Sequence, residues 1–390
     1  MSGAGVDVVV VGGRVAGAST ALLLARAGLS VALLDRGRRG SDTLSTHALM
    51  RAGVLQLSRW GVLGDVVAAG TPAIRRTVFH HADGEDLAVT IRPRAGVDAL
   101  YAPRRHVLDR LLVEAAEDAG VQVLHETTVT SLRHDPTGRV AGVVARTGSG
   151  VHVDLAARLT VGADGIRSRV AEQVGATTTW RGRTASAVLY RYVEDRGADA
   201  YEWTYGAGAA AGIIPTNAGA SCLFVSTTPT RMRRLRRLGV DRAVSELLVA
   251  AGPAAVERAH ELRPLSPVRG WAGVPGFVRR SWGPGWALVG DAGFFKDPIT
   301  SHGMTDAMRD AELLARQVLA AHGGVAEDVA LADYQRTRDR LSRDLVATTE
   351  RVAAYDWDAT GIRSLLHRLS AAMADEVEHL ESLAPAGSAP

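Results

Sequence analysis

The run VDVVVVGGRVAG, residues 6–17, constrains the fold of this chain more than any other stretch. Four valines in a row end at two glycines and pass directly into small residues. That order predicts a strand buried on both faces, a tight turn and a helix. In the pattern G-x-G-x-x-G, the first glycine makes the sharp exit from the strand. The second lets the backbone approach a pyrophosphate, and the third lets the helix pack on the strand. Gly12 and Gly17 hold the first and third places, Gly13 and Ala16 stand beside them, and Arg14 replaces the second glycine. An arginine keeps its backbone N–H, so the helix N-terminus still offers donors to a phosphate. Its guanidinium is expected to fold toward either the pyrophosphate or a carboxylate. The helix is expected over 14–28, closed by Gly28, and the strand SVALLD follows at 30–35. Asp35 ends that strand 18 residues after Gly17, with Arg36 next to it. An acid at that place binds ribose hydroxyls and favours FAD or NAD over NADP as the resident dinucleotide.

A chain of 390 residues exceeds what one core usually serves, so two interleaved domains are expected. The fold class expected is α/β plus β: a Rossmann-like dinucleotide-binding domain, an inserted antiparallel-sheet domain and C-terminal helices. The first comprises 1–74, 104–170 and 281–325; the inserted domain comprises 75–103 and 171–280, where strands rich in Tyr, Trp and Thr lack a βαβ rhythm. Residues 75–91 alternate around Asp83-Gly84 as a hairpin. Helices are expected through 326–382, followed by a frayed tail at 383–390.

The 45 basic and 42 acidic residues leave a formal charge of only +3, which argues against nucleic acid as a partner. Cys222 is the only cysteine, so no disulfide framework or CxxC pair forms within the chain. His80 and His81 are neighbours on an expected strand and point to opposite faces, so no metal site is expected there. The start has no basic segment before its apolar run, and no run reaches membrane-helix length; a cytoplasmic protein without membrane contact is expected. Lys296 is the only lysine, the other basic residues all being arginine.

Three further stretches resemble one family. VGADGIRSRV (161–170) resembles the Asp-Gly motif of the single-component flavoprotein hydroxylases, the p-hydroxybenzoate hydroxylase family. GWALVGDAGFFKDPITSHGMTDAMRDAELLA (285–315) resembles that family's Gly-Asp motif and following helix, and RRHVLDRLLVEAAEDAG (104–120) the helix whose first arginine contacts FAD. Asp297 and Thr300 stand where the family usually has a proline and a glycine. That loop is also similar to the loops of flavin-dependent halogenases and geranylgeranyl reductases. The halogenase Trp-x-Trp-x-Ile-Pro signature is absent.

The resemblance implies non-covalent FAD. It is expected to be held by the glycine-turn residues already named, with Asp35, Arg36, Ser45, Arg105, Val129 and Asp164. Gly290, Asp291, Pro298, Gly303 and Met304 are expected to complete the cofactor set, with Asp291 on the ribityl chain. Independently of the resemblance, a helix beginning near Gly303 puts its positive end toward an anionic ring. The resemblance also implies NADPH or NADH as a transient electron donor, dioxygen, and an apolar or aromatic small-molecule substrate that is hydroxylated or epoxidised. A separate flavin reductase is an alternative electron source. His47, Lys296 and Pro298 are the expected catalytic residues; Arg51 lies close to His47 in sequence. Tyr190, Tyr192, Trp203, Tyr205 and Pro215 are expected against substrate. Lys296 has two readings, one reaching the flavin or substrate and one as an exposed pair with Asp297. Two other functions stay open, an FAD reductase of the geranylgeranyl reductase kind and a flavin-binding protein without turnover. Nothing in the sequence fixes an oligomeric state.

Overall fold

A computed structural model describes residues 5–81 and 84–384; Asp83 and most of the expected tail lie outside the described residues. The valine run forms β1 (Val6–Val11), and the small residues after it form α1 (Val15–Arg26). Parallel to β1 lies β2 (Val31–Leu34), with Val8 opposite Val31 and Val11 opposite Leu34. On the other side of β1 runs the second half of a long strand, His152–Gly162, also parallel, with Val11 opposite Gly162. Trp286–Leu288 and Gln122–Leu124 extend the parallel sheet at its two flanks.

The uninterrupted valines follow from burial on both faces. Val8 and Val10 enter one core with Leu22 and Leu24 of α1 and Met308 and Leu314 of helix Gly303–His322. Val9 and Val11 enter another with Val129, Val143 and Leu288. The residues of that second core come partly from a hairpin, Thr127–His134 with Val140–Thr147, which pairs onto the first half of strand His152–Gly162.

A second sheet is built from Ala187–Glu194, Ala220–Thr227, Ala209–Thr216 and Ala200–Gly206, all antiparallel. Strand Arg76–His81 joins its edge, and Leu87–Thr90 pairs antiparallel with that strand, Phe79 opposite Leu87. One correction concerns this sheet: Arg76–His81 runs parallel to Ala200–Gly206, so the sheet is mixed. The long stretch of chain between those two strands is what permits a parallel pair. A second correction is that three helices, Pro229–Arg236, Val240–Ala251 and Pro253–His260, lie within the stretch read as sheet. They cover one face, where Leu189, Ile213, Leu223 and Val225 meet Met232, Val244 and Leu247. The other face carries Tyr190, Tyr192, Tyr201, Trp203 and Tyr205 into the same core as α1. Helix Glu327–Val352 packs on Gly303–His322, and helix Ala359–Ser382 packs on Glu327–Val352 and on helix Arg51–Arg59.

Candidate active site

Between β1 and α1 the turn admits no side chain at its first and last glycines. Gly12 sits at φ +107, and a Cβ there would lie 2.4 Å from the Ala163 carbonyl oxygen. A Cβ on Gly17 would lie 1.8 Å from the Gly12 carbonyl oxygen. Arg14 is under no such constraint: at φ −92 and ψ −170 it is the extended N-cap of α1. Its guanidinium takes the carboxylate alternative, donating to Asp109 Oδ2 at 2.8 Å and to the Ser41 carbonyl and hydroxyl oxygens at 2.5 and 2.8 Å. Arg105 donates to both oxygens of the same Asp109 at 3.1 Å. Two guanidiniums therefore share one carboxylate beside a helix start that has no side-chain cap and no acid in its first turn. Such a donor set fits a pyrophosphate. Asp35, at the end of β2, accepts from the Gly13 and Gly37 backbone N–H groups at 2.6 and 2.5 Å. Because the backbone of Arg14 carries the helix start, Arg14→Gly is expected to leave FAD affinity within about tenfold, roughly 1.4 kcal/mol. Titration of apoprotein with FAD measures it, and a much larger loss would make the guanidinium a principal ligand.

The Gly-Asp stretch folds as a turn at Gly290–Ala292, a short strand Phe294–Phe295, a turn at Pro298–Thr300 and then helix Gly303–His322. Asp297 pins the loop to the second sheet, accepting from Ile299 N at 2.9 Å and from Ser186 N at 2.6 Å. Burial pushes its carboxyl up to about 6. Burial also pushes Asp291 up to about 6; the Asp306 charge adds to this, and Arg105 and Lys296 oppose it. Asp291 thus lies in the field of Arg105, at the start of helix Arg105–Asp118, and of the loop lysine together. The long helix after it has no side-chain cap, and Gly303 at its start is exposed with open space where a Cβ would project. Its first N–H groups can therefore meet an anion.

Lys296 is not an exposed partner of Asp297. Its side chain is 3% exposed and pairs with Asp306 Oδ2. Arg309, fully buried, donates to Asp306 Oδ1 at 2.9 Å, Asp310 Oδ1 at 2.8 Å and Glu376 Oε1 at 3.0 Å. His302 Nε2 lies 2.6 Å from Glu376 Oε2. The grouping of His302, Asp306 and Glu376 has the spacing of metal ligands, but the cations meeting these carboxylates are Lys296 and Arg309. Sequence reasoning missed Asp306, Arg309, Asp310 and Glu376. The 306–309–310 spacing places three of them on one helical face; nothing local points to Glu376.

His47, in the loop after β2, and Tyr192, on the second sheet, come together. His47 Nε2 hydrogen-bonds the Tyr192 hydroxyl, and the rings stack with centroids 5.6 Å apart. His47 holds a left-handed φ of +71, an uncommon place for a residue with a side chain. Burial, with Arg104 and Arg105 adding to it, drives the imidazole down to about 3. It is therefore neutral near pH 7. The Arg104 guanidinium lies 3.6 Å from the Tyr192 ring centroid and 3.2 Å from Asp42. Thr46 Oγ1 and Ser301 Oγ, 3.5 Å apart, join the His47 loop to the flavin loop.

Several expected residues are placed differently. Trp203 packs edge-on against Phe224 and Tyr205 against Trp357, both within the core. Pro215 shares the parity of Ile213, which faces the covering helices, so strand alternation turns it away from Tyr192. Both carboxylate oxygens of Asp164 are used within its own segment, accepting from Ser168 Oγ and the Arg169 and Val170 N–H groups. Val129 is buried in the core under the sheet, and Arg36 is exposed. Ser45 Oγ accepts from His47 N at 3.0 Å, while Arg51 donates to the Val97 and Arg92 carbonyls. Met304 is half-buried beside Gly303.

A glycine turn, an acid ending the second strand and a second helix start facing the same region define a dinucleotide-binding flavoprotein. The chain belongs to the FAD binding domain family, whose model matches residues 5–349, and it is a flavin-dependent oxidoreductase of the monooxygenase kind. It is 25% identical over 362 residues to a digeranylgeranylglycerophospholipid reductase of Methanothrix thermoacetophila, covering 87% of this chain and 84% of that protein. Over 375 residues it is 26% identical to aklavinone 12-hydroxylase of Streptomyces peucetius, covering 90% and 74%. The solved structure of PqsL from P. aeruginosa in complex with 2-aminobenzoylacetate is similar with a TM-score of 0.75 and 25% identity, covering 95% of this chain and all of that one. No helix among the described residues is long and apolar enough to cross a membrane.

Proposed function

We propose that this protein is an NADPH- or NADH-dependent FAD monooxygenase that hydroxylates or epoxidises an aromatic or polyketide-like small molecule in secondary metabolism in the cytoplasm. The carrying observation is a pair of helix starts without side-chain caps, those of α1 and of Gly303–His322, with Gly290 against Ala16 and Ala307, near both, and Asp291 in the field of Arg105 and Lys296. The start of α1 would hold the pyrophosphate, Asp35 the ribose and Asp291 the ribityl hydroxyls, and the start of helix Gly303–His322 would offer its N–H groups to the ring. Bound FAD supplies the electron transfer and dioxygen chemistry. Around it the chain orients, excludes water and sets the local field. Pro298 fixes the wall of the loop, and Lys296 places a positive charge behind it. A histidine held near 3 is a poor base at pH 7. In the tautomer protonated at Nδ1, neutral His47 accepts a hydrogen bond from the Tyr192 hydroxyl at Nε2, which leaves the tyrosine oxygen free to accept a hydrogen bond from a substrate hydroxyl. The pair thus orients a phenol or enol and does not ionise it.

The test is to mix purified protein with NADPH or NADH and panels of phenolic and polyketide compounds under labelled dioxygen and under argon. Product carrying label from the gas, absent under argon, is the expected result. Reduction by dithionite but not by NAD(P)H, followed by labelled product, would assign electron delivery to a separate flavin reductase. A second reading, an FAD-dependent reductase, is favoured by the similarity to the archaeal lipid reductase. Product forming equally fast under argon would establish it, and no turnover with any donor would favour a flavin-binding protein.

A further inference from the structure

We propose that Glu376, on the C-terminal helix Ala359–Ser382, is a positioning residue that sets how much positive charge Lys296 presents to the flavin. The inference rests on the flavin reading above. Glu376 is fully buried against the first turns of helix Gly303–His322, with Arg309 Nη1 on one oxygen at 3.0 Å and His302 Nε2 on the other at 2.6 Å. The same Arg309 nitrogen donates to Asp306 Oδ1 at 2.9 Å, and the other oxygen of Asp306 is the partner of Lys296. Arg309 and the lysine ammonium also lie over the Phe294 ring, 5.5 and 6.0 Å from its centroid, so the cluster is seated directly behind the loop.

Asp306 therefore divides one negative charge between Lys296 and Arg309. While Glu376 and Asp310 satisfy Arg309, Asp306 is free to neutralise the lysine. Remove the charge of Glu376, and Arg309 draws on Asp306, leaving Lys296 less compensated. Water is excluded from the cluster, so these shifts are weakly screened and reach the adjoining loop. The direct effect of losing an acid and the indirect effect through Asp306 have the same sign. Both favour the more negative, reduced form of a neighbouring flavin.

The signature is a pair of opposite shifts in the midpoint potential of the FAD-loaded protein, measured by dye equilibration. Lys296→Met is expected to lower the reduced-to-oxidised ratio at fixed potential at least tenfold, about 30 mV for a two-electron couple. Glu376→Gln is expected to raise that ratio at least threefold, and Glu376→Asp, which keeps the charge, to stay within twofold of wild type. In the Lys296→Met background, Glu376→Gln should move the ratio less than half as far. A merely structural glutamate would lower the melting temperature without reversing the sign. An unmoved potential, a shift in the same direction as Lys296→Met, or loss of FAD from every Glu376 variant overturns the proposal. A wild-type protein that takes up no FAD overturns the flavin reading itself.

Discussion

Gly17→Val is expected to abolish FAD binding and to destabilise the protein by about 3 kcal/mol or more, the upper range for overpacking a core. A Cβ at residue 17 would lie 1.8 Å from the Gly12 carbonyl oxygen and 3.1 Å from the Ala163 Cβ. The first is backbone and cannot rotate away. Relief requires α1 to retreat from β1, but α1 is buried along almost its whole length against the sheet and helix Gly303–His322. Moving it withdraws the N–H groups that would meet the pyrophosphate and opens the core under Val8 and Val10. Bound flavin is measured by absorbance after desalting, and stability by melting the apoprotein. A variant that keeps one FAD per chain would sink the assignment of this turn.

The same contrast between backbone and side chain explains what was legible in the sequence. The glycine turn could be read because Gly12 and Gly17 answer to local geometry, and the valine run because burial on both faces leaves no polar alternation. Arg14 could be read as tolerated, since only its N–H is needed, but its guanidinium had two possible destinations. Asp109 on a helix 95 residues away decided between them. Thr228 and Pro229 do mark a helix start, with the Thr228 hydroxyl accepting from Arg231 N, yet the aromatic alternation before them suggested more sheet. A strand's pattern says which face is buried and not which neighbour it takes, so the parallel pairing of Arg76–His81 with Ala200–Gly206 was invisible. Lys296 stood out as a composition anomaly; its partner Asp306 is ten residues on, and Glu376 lies 67 residues beyond Arg309. Those contacts exist only after the long helices have packed.

Arg309→Met should be the most damaging single substitution in the ion cluster. Arg309 is fully buried and touches Asp306, Asp310 and Glu376, so methionine fills much of its volume while leaving three buried carboxylates one cation short. Breaking a buried pair in this way costs about 3–5 kcal/mol, a large share of the roughly 5–15 kcal/mol that holds a domain folded. The pH dependence identifies the cause. In the wild type burial opposes ionisation of Asp306, but Lys296, Arg309 and His302 outweigh it and hold its carboxyl below the ordinary value. Glu376 is likewise opposed by burial and held low by His302 and Arg309. A lowered folded pKa contributes stability that is present above the unfolded value and lost as pH falls through the folded one. Wild type should therefore weaken in acid through Asp306 and Glu376, while Asp310, whose carboxyl burial pushes up, works in the other direction. Without Arg309, Asp306 keeps Lys296 and Glu376 keeps His302, but each folded carboxyl moves up and loses part of that contribution, and Asp310 loses the cation that most opposes its burial, so the variant should gain less stability than wild type as pH rises from 4 toward 8. Urea melts of both proteins across that range should show the stability gap widening with pH. A gap that stays constant from pH 4 to 8 would mean that lost packing, and not stranded charge, accounts for the damage.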